Sequence, residues 1–319
     1  MVNREHSSTR RRTRRIFTHV LPLVIFSLVA GGVLFFLRYA LAPAPFREAI
    51  VIASDPVHVI SFDTRAKKVT AMDIVSDAVI PGALGYGKYP VRAIISLDGI
   101  DRWNGNLITS SISNAIGLPI TGYVTMGKNA DTPLTADNVS ELFSLGSIRR
   151  YIEGEIKGSV SLLTWMRFVS LMHSIPADGI KIIDAKGMTN NLPSPDGGTY
   201  PELDENRVDY IVDTAFFDGG IRTEALSVAI YNTTAIPSIG TRASRQLAKV
   251  GMQMVFVGNR EEGIPHCVVA ASEDTLQSKT AQFIRKTYGC TGKVSQEEGK
   301  EIGADIVVLL GQSFAERFK

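Results

Sequence analysis

The pattern of hydrophobic and polar residues separates an anchor-like segment from the rest of the chain. Residues from Ile16 to Leu37 include no Asp, Glu, Lys or Arg, and a run of arginines precedes them. A helix needs about 20 such residues to cross a bilayer core. We therefore predict a transmembrane helix over 16–38. The basic residues of 1–15 predict a cytoplasmic tail and an extracytoplasmic C-terminal part. A cleaved signal peptide is the alternative, although its hydrophobic region should be shorter.

Beyond the spacer APAPF, the hydrophobic pattern changes from short runs to helical periodicity and back. Runs rich in Val and Ile between turn residues predict strands over 49–53, 58–62, 68–74 and 120–126. Apolar spacings of three and four predict helices over 91–104, 107–117, 162–172 and 204–217. The Gly- and Pro-rich segments 81–90 and 189–201 are predicted to be loops. Together these elements predict a mixed α/β domain over residues 46–220.

The remaining residues, 225–319, show a regular order of elements. The pattern predicts strands over 226–232, 252–258, 266–271 and 304–311, with helices over 238–250 and 273–288. The order β-α-β-β-α-β is that of a small two-layer domain. The predicted fold class is therefore α/β: a single N-terminal transmembrane helix, a mixed α/β domain, and a small βαββαβ domain.

Charge and metal-binding residues exclude some classes of function. The net charge is +2 and no helix has a basic recognition face, so we expect no nucleic acid partner. The five histidines are scattered singly, so no metal site is expected from them.

The only two cysteines, Cys267 and Cys290, lie late in the chain, on the predicted extracytoplasmic side. An oxidising compartment would permit a disulfide between them. Two buried free thiols are the alternative, and the spacing does not decide between the two states.

The C-terminal residues resemble a known family domain. VAIYNTTAIPSIGTRASRQLAKVGMQMVFVGN (228–259), KTAQFIRKTYG (279–289) and ADIVVLLGQSF (304–314) are similar to the C-terminal domain of the LytR-CpsA-Psr (LCP) proteins. That domain runs from a strand through an Asn-containing turn into a Leu-rich helix that ends at Gly. Thr233 departs from the pattern, because Gly is usual there.

The residues that follow the spacer resemble the main LCP domain more loosely. The similar stretches are 57–91 and 110–126. In the family this domain transfers glycopolymers from a polyprenyl-pyrophosphate carrier to the cell wall, with Arg and Asp residues around a divalent cation. Asp77 matches the acidic residue of the family's Ile-Pro-Arg-Asp turn, but Ser76 occupies the position of its Arg. A hydroxyl cannot replace a guanidinium that binds pyrophosphate in two places.

Asp77 is therefore the candidate catalytic residue, and a few charged or polar residues are candidates for ligand binding. Asp98, Asp101 and Arg102 suit an Mg²⁺-phosphate site, or else form a charged helix surface. Asn232 suits a sugar, or else a turn that caps the following helix. The candidates for ligand binding are Lys88, Arg92, Asp98, Asp101, Arg102 and Asn232.

The resemblance and the missing arginine predict a membrane-anchored protein of the bacterial cell envelope that acts in glycopolymer assembly or maintenance. We expect a non-catalytic module whose partners are the lipid bilayer and a polyprenyl-linked glycan or peptidoglycan. The alternative is a phosphotransferase acting on polyprenyl-pyrophosphate-linked substrates, which would require Mg²⁺. No other cofactor is expected.

Overall fold

The structure is a computed structural model that describes residues 46–126, 132–183, 187–194, 197–295 and 297–316, together with Ser27, Gly31 and Gly32. Within these residues, no helix has both the length and the apolar character needed to cross a membrane. The tail predicted over 1–15 and, apart from the three isolated residues, the span predicted over 16–38 lie outside the described residues.

The described chain contains fifteen strands. They are β1 (Glu48–Ala53), β2 (Val57–Asp63), β3 (Lys68–Ile74), β4 (Val79–Pro81), β5 (Lys88–Pro90), β6 (Gly122–Thr125), β7 (Lys157–Gly158), β8 (Ile180–Ile183), β9 (Thr189–Pro193), β10 (Thr199–Leu203), β11 (Ser227–Asn232), β12 (Gln253–Asn259), β13 (Val268–Ala271), β14 (Thr291–Val294) and β15 (Ile306–Leu310).

Helices alternate with these strands. From residue 46 onward they are α1 (Val91–Ile100), α2 (Asn106–Ile116), α3 (Ala136–Leu142), α4 (Leu145–Ile152), α5 (Leu162–His173), α6 (Glu205–Ala215), α7 (Gly219–Glu224), α8 (Ile239–Val250), α9 (Glu273–Leu276), α10 (Lys279–Tyr288) and α11 (Gln312–Ala315). Two 3₁₀ turns, Ala177–Gly179 and Lys300–Ile302, complete the regular structure.

A six-stranded sheet in the order β7-β6-β1-β2-β3-β8 forms the centre of the first part of the chain. The first three strands are antiparallel neighbours, whereas β6 is parallel to β1 and β8 is parallel to β3. Every side chain of β1 and β2 is buried. Burial on both faces requires cover on both sides of the sheet.

Helices supply that cover. Val51, Val59 and Met72 lie in a core with residues of α1, α2 and α6. Ile52 and Phe62 lie in a second core with residues of α3 and α5. The sheet is therefore the middle layer of an α/β/α sandwich, and the predicted mixed α/β class is confirmed.

A small four-stranded sheet in the order β5-β4-β10-β9 corrects the prediction for two segments. Residues 189–201 were predicted to be a loop, but β9 and β10 form an antiparallel hairpin in which Thr189 pairs with Leu203. The prediction was wrong because exposed Asn, Pro and Gly residues are typical of loops. The segment 81–90, also predicted to be a loop, contains β5. The helix predicted over 91–104 is shorter in the structure, because α1 ends at Ile100.

The C-terminal part contains a five-stranded sheet in the order β12-β11-β15-β13-β14. Helices α8 and α10 pack on one face in a core that includes Leu247, Ile284 and Val308. The predicted βαββαβ order is present, with one further strand, β14, whose four side chains are all exposed. The predicted helix over 273–288 is divided, because Ser278 is the N-cap of a separate helix, α10.

The additional strand explains the geometry of the cysteines. Cys267 and Cys290 each directly precede a strand, and β13 and β14 are parallel neighbours that pair from Val268 and Thr291. The Cα atoms of the two cysteines are 4.4 Å apart and their side chains form a disulfide.

By its contacts, the chain from Ala44 onward forms one unit. Phe46, at the start of the first part, lies in the core of the C-terminal sheet. The first part of the chain and the C-terminal part therefore pack against each other within this unit.

Candidate functional site

The turn that follows β3 holds the candidate catalytic residue. Asp77 Oδ1 lies 2.5 Å from Arg92 Nη1, and both side chains are mainly exposed, at 55% and 67%. The backbone N–H of Arg92 donates to the carbonyl of Ser76 at 3.0 Å, which ties the start of α1 to the turn. The Ser76 hydroxyl is buried, and no described group lies within hydrogen-bonding distance of it. The side chain that the resemblance aligns with the family's arginine is therefore not exposed at the surface.

Asp98 has a structural role. Its carboxylate is buried and accepts backbone N–H bonds from Gly105 at 2.7 Å, Leu107 at 2.9 Å and Ile108 at 3.2 Å. These N–H groups lie at the start of α2, where no carbonyl of the helix can reach them. Asp98 is therefore the cap of α2 and is not available to a phosphate or a metal ion.

The other charged candidates lie on the surface, and Asp101 and Lys88 have partners within the protein. The Tyr86 hydroxyl donates to Asp101, and this hydrogen bond raises the pKa of Tyr86. Lys88 Nζ lies 2.5 Å from Glu202 Oε1, an ion pair that joins β5 to β10. Arg102 is exposed at a turn with a φ of 58°.

Asn232 is buried in the turn that follows β11. Its side-chain oxygen accepts from the backbone N–H of Thr234 at 2.9 Å, and its amide donates to the carbonyl of Ile236 at 2.9 Å. Both ends of the amide therefore hold the turn. These contacts fit the turn that the sequence left open as the alternative for Asn232, but they do not cap the next helix, because Ser238 is the N-cap of α8 and makes no side-chain cap bond.

The acidic residues do not fit an Mg²⁺ site. Asp98 already accepts three N–H bonds, Asp101 accepts from a phenol, and Asp77 is paired with an arginine. Across the described chain, no cluster of three or more His, Cys, Asp or Glu side chains is placed to hold a metal ion.

A cavity of about 730 Å³ lies elsewhere, between the first part of the chain and the C-terminal part. Its walls come from the start of β1, from α2, from the segment before β6, from the start of α5, and from α8, α10 and α11. We call it the junction cavity. None of the seven residues proposed from the sequence as catalytic or ligand-binding lines it.

Three charged side chains lie in the wall of the junction cavity: Glu48, Arg167 and Lys286. The Glu48 carboxylate is buried, with Arg167 Nη2 on one oxygen and Lys286 Nζ 3.2 Å from the other. Glu48 and Arg167 belong to the first part of the chain, whereas Lys286 is on α10 of the C-terminal part. Arg167 and Lys286 follow Glu48 in the sequence by 119 and 238 positions, so no local motif contains all three residues.

Hydroxyl groups make up much of the remaining polar wall. Thr109 donates its proton to the carbonyl of Gly105 at 2.7 Å, and Thr121 donates to the carbonyl of Ala49 at 2.9 Å. A hydroxyl that donates in this way keeps lone pairs that can accept from a ligand. Thr109 and Thr121 lie on elements that are distant in sequence, so no sequence pattern marks them as parts of one site.

The side of the cavity formed by the C-terminal part is fixed by buried hydrogen bonds. Gln246 of α8 donates to the Ser113 hydroxyl at 2.9 Å and accepts from the Tyr288 hydroxyl at 3.0 Å. Burial raises the pKa of Tyr288, so its hydroxyl stays protonated. The first contact joins the two parts of the chain directly, so the cavity wall is continuous across the junction.

Fold and cavity thus describe a two-part α/β protein with a polar cavity at the junction of its parts. Residues 225–314 match the LytR_C family, described as "LytR cell envelope-related transcriptional attenuator". The resemblance predicted for the C-terminal residues is confirmed, since residues 225–314 match the LytR_C domain. No curated protein sequence matches this chain.

Solved structures give a weaker likeness. The transcriptional regulator yvhJ from Bacillus subtilis shares 13% identity and covers 53% of this chain and 95% of its own, with a TM-score of 0.40. TagV from the same organism shares 12% over 52% of this chain and 93% of its own, with a TM-score of 0.39. TagT from the same organism shares 12% identity and covers 53% of this chain and 89% of its own, with a TM-score of 0.38.

Proposed function

We propose that the protein is a membrane-anchored module of the cell envelope that binds glycopolymer without transferring it. Its bulk lies outside the cytoplasmic membrane. Residues 46–220 form a degenerate LCP-like domain, and the LytR_C domain packs against it. The ligand in this proposal is a polyprenyl-linked glycan or peptidoglycan.

The proposal rests on the contacts that the polar residues make in the turn after β3. Transfer of a phosphoryl group needs positive groups directed at the charge that develops on the phosphate oxygens. At this turn the guanidinium of the family pattern is replaced by the buried Ser76, and Asp77 is engaged by Arg92. Asp98, on α1, is occupied by the N-terminus of α2. The polar groups of the turn hold the start of α1, which supports binding over transfer.

A transfer assay with the full-length chain in detergent tests the proposal. The chain is incubated with a polyprenyl-pyrophosphate-linked glycan and Mg²⁺, and lipid phosphate release and glycan binding are measured in parallel. We expect binding without release. Release that disappears in Asp77→Ala would contradict the proposal, and an absence of both would refute binding as well.

One contact favours the phosphotransferase as a second candidate. Arg92 places a mainly exposed guanidinium beside Asp77, close to where the family's arginine is expected. In this alternative Arg92 would bind the pyrophosphate. Arg92→Lys keeps the charge but removes the two-point contact, so transfer that falls sharply in this variant would support the alternative.

The topology in the proposal rests on the sequence pattern of residues 1–38. Single cysteines are introduced at Glu155, which is exposed, and at Ser7 in the predicted cytoplasmic tail. A thiol reagent that cannot cross membranes should label Glu155→Cys on intact cells and Ser7→Cys only after lysis. The reverse labelling would contradict the orientation.

A further inference from the structure

We propose that the junction cavity binds an acidic saccharide, a sugar that carries one carboxylate or phosphate group. The inference deepens the proposed function and rests on it, because it gives that function a place and a ligand chemistry. It does not depend on the turn after β3, which lies at the other end of the central sheet.

The charge of the cavity wall selects an anion. The charged lining residues are one carboxylate, Glu48, and two cations, Arg167 and Lys286, so one positive charge is not balanced. Lys286 is half-exposed, and Glu48 Oε1 occupies one of the three N–H donors of its ammonium group. The remaining donors can bind an anionic group without breaking the ion pair.

The neutral polar groups of the wall select a ligand with hydroxyls. Thr109 and Thr121 have donated their protons to backbone carbonyls, so toward the cavity they act as acceptors. A sugar presents several hydroxyl donors around its ring, which match such acceptors. A bare inorganic anion offers few donors and would leave them unused.

Aromatic side chains form the apolar base of the cavity. Phe46, Tyr288 and Phe314 line it but are almost fully buried, so they close the base and expose little ring surface to a ligand. The volumes of small-molecule sites run from about 300 to 1,000 Å³. The volume of about 730 Å³ lies within that range.

Isothermal titration calorimetry on the full-length chain in detergent tests the inference. The probes are glucuronate and glucose 1-phosphate, with glucose and inorganic phosphate as the partial ligands. We expect each acidic sugar to bind more tightly than either partial ligand. If inorganic phosphate binds as tightly as glucose 1-phosphate, the sugar ring contributes nothing and the saccharide is not the ligand. If glucose binds as tightly as the two acidic sugars, the charge of the ligand plays no role.

Lys286→Gln removes the unbalanced charge and leaves Glu48 paired with Arg167, so no buried carboxylate loses its only partner. We expect the affinity for both acidic sugars to fall about tenfold. Lys293→Gln is the matched control, since Lys293 is similarly exposed and also pairs with a glutamate, Glu298, away from the cavity. If the two variants bind alike, the cavity is not the site.

Glu48→Gln tests the sign of the charge effect. This near-isosteric change leaves both cations unopposed, so we expect tighter binding of glucuronate and unchanged binding of glucose. Weaker binding of glucuronate would overturn the charge argument. Thermal unfolding without ligand shows whether each variant is folded, and Lys286→Gln provides the test if Glu48→Gln is not.

The binding of intact glycopolymer distinguishes failure of this inference from failure of the proposed function. If the wild-type chain and Lys286→Gln bind the polymer equally, the proposed function holds and the junction cavity is not the site. If the wild-type chain binds no polymer, the proposed function fails, whatever the calorimetry with small sugars shows.

Discussion

The two ends of the central sheet differ in what their polar residues do. Strands β1 and β3 run in the same direction, since both are antiparallel to β2. The turn with Asp77 follows the end of β3, whereas Glu48 and the junction cavity lie at the start of β1. At the turn, the polar groups hold the fold. At the cavity, they leave an unbalanced charge and unused acceptors.

The difference teaches that resemblance and site do not have to coincide. The family pattern drew attention to the turn, where Asp77 is engaged by Arg92 of the protein itself. The cavity needs a residue from each part of the chain, because Lys286 comes from α10 and Arg167 from α5. A substitution at only one of these two places shows whether the turn or the junction cavity binds the ligand.

The largest effect is expected on the cavity side, from removal of the disulfide. The bond between Cys267 and Cys290 closes a segment with a sequence separation of 23 that includes α10 and therefore Lys286. The double variant Cys267→Ala, Cys290→Ala should lower the free energy of unfolding by about 3 kcal/mol. Urea denaturation measures it. An unchanged midpoint of urea denaturation would show that the disulfide does not stabilise the C-terminal part.

The next largest effect is expected where α1 contacts the start of α2. Asp98→Ala leaves the first N–H groups of α2 without their acceptor and should cost about 2 kcal/mol of stability. The matched control is Asp101→Ala, which removes an exposed carboxylate three residues further on, just after the end of α1, and should cost far less. Thermal unfolding of the two variants measures the difference. Equal losses would contradict the structural role of Asp98.

The contact between the two parts is expected to contribute less. Arg245 of α8 donates to Asp209 of α6 at 2.6 Å and to the carbonyl of Asn114 at 2.6 Å. Arg245→Ala should lower the stability by about 1 to 2 kcal/mol. Limited proteolysis should also cleave this variant faster near residues 216–226, between α6 and β11. Unchanged cleavage would show that the two parts are held together by other contacts.

The smallest expected effect depends on pH. Glu224 is partly buried, and burial alone would raise its pKa, but hydrogen bonds from Lys279 and Thr280 outweigh it and leave the pKa below the usual value. Its stabilising contribution is therefore present above the pKa of the unfolded chain and is lost as pH falls through the lower folded pKa.

Glu224→Gln tests this dependence. The variant should be slightly less stable than the wild type near neutral pH, and the difference should shrink as the solution is acidified. Unfolding midpoints measured from neutral pH downward show the trend. A difference that grows toward acid pH would contradict the lowered pKa.

The hydrophobic pattern predicted the elements that have a buried face. Strands β1 to β3 and helices α5 and α8 were found because their apolar spacing reflects burial. The hairpin of β9 and β10 and the strand β14 were missed, since their side chains are exposed or half-exposed. Backbone pairing alone leaves no such pattern in the sequence.

The candidate site was beyond sequence reasoning for a related reason. Glu48, Arg167 and Lys286 are isolated charges in the sequence, and only the packing of α10 against the start of β1 brings them together. Asp98 illustrates the reverse error, because an acid before a turn resembles a ligand when it is the cap of the next helix.

One comparison of variants tests the central claim most directly. Binding of purified envelope glycopolymer to the full-length chain is measured side by side for wild type, Asp77→Ala and Lys286→Gln. We expect Asp77→Ala to bind as the wild type does and Lys286→Gln to bind about tenfold more weakly. Loss of binding in Asp77→Ala together with unchanged binding in Lys286→Gln would place the ligand at the turn and contradict the claim.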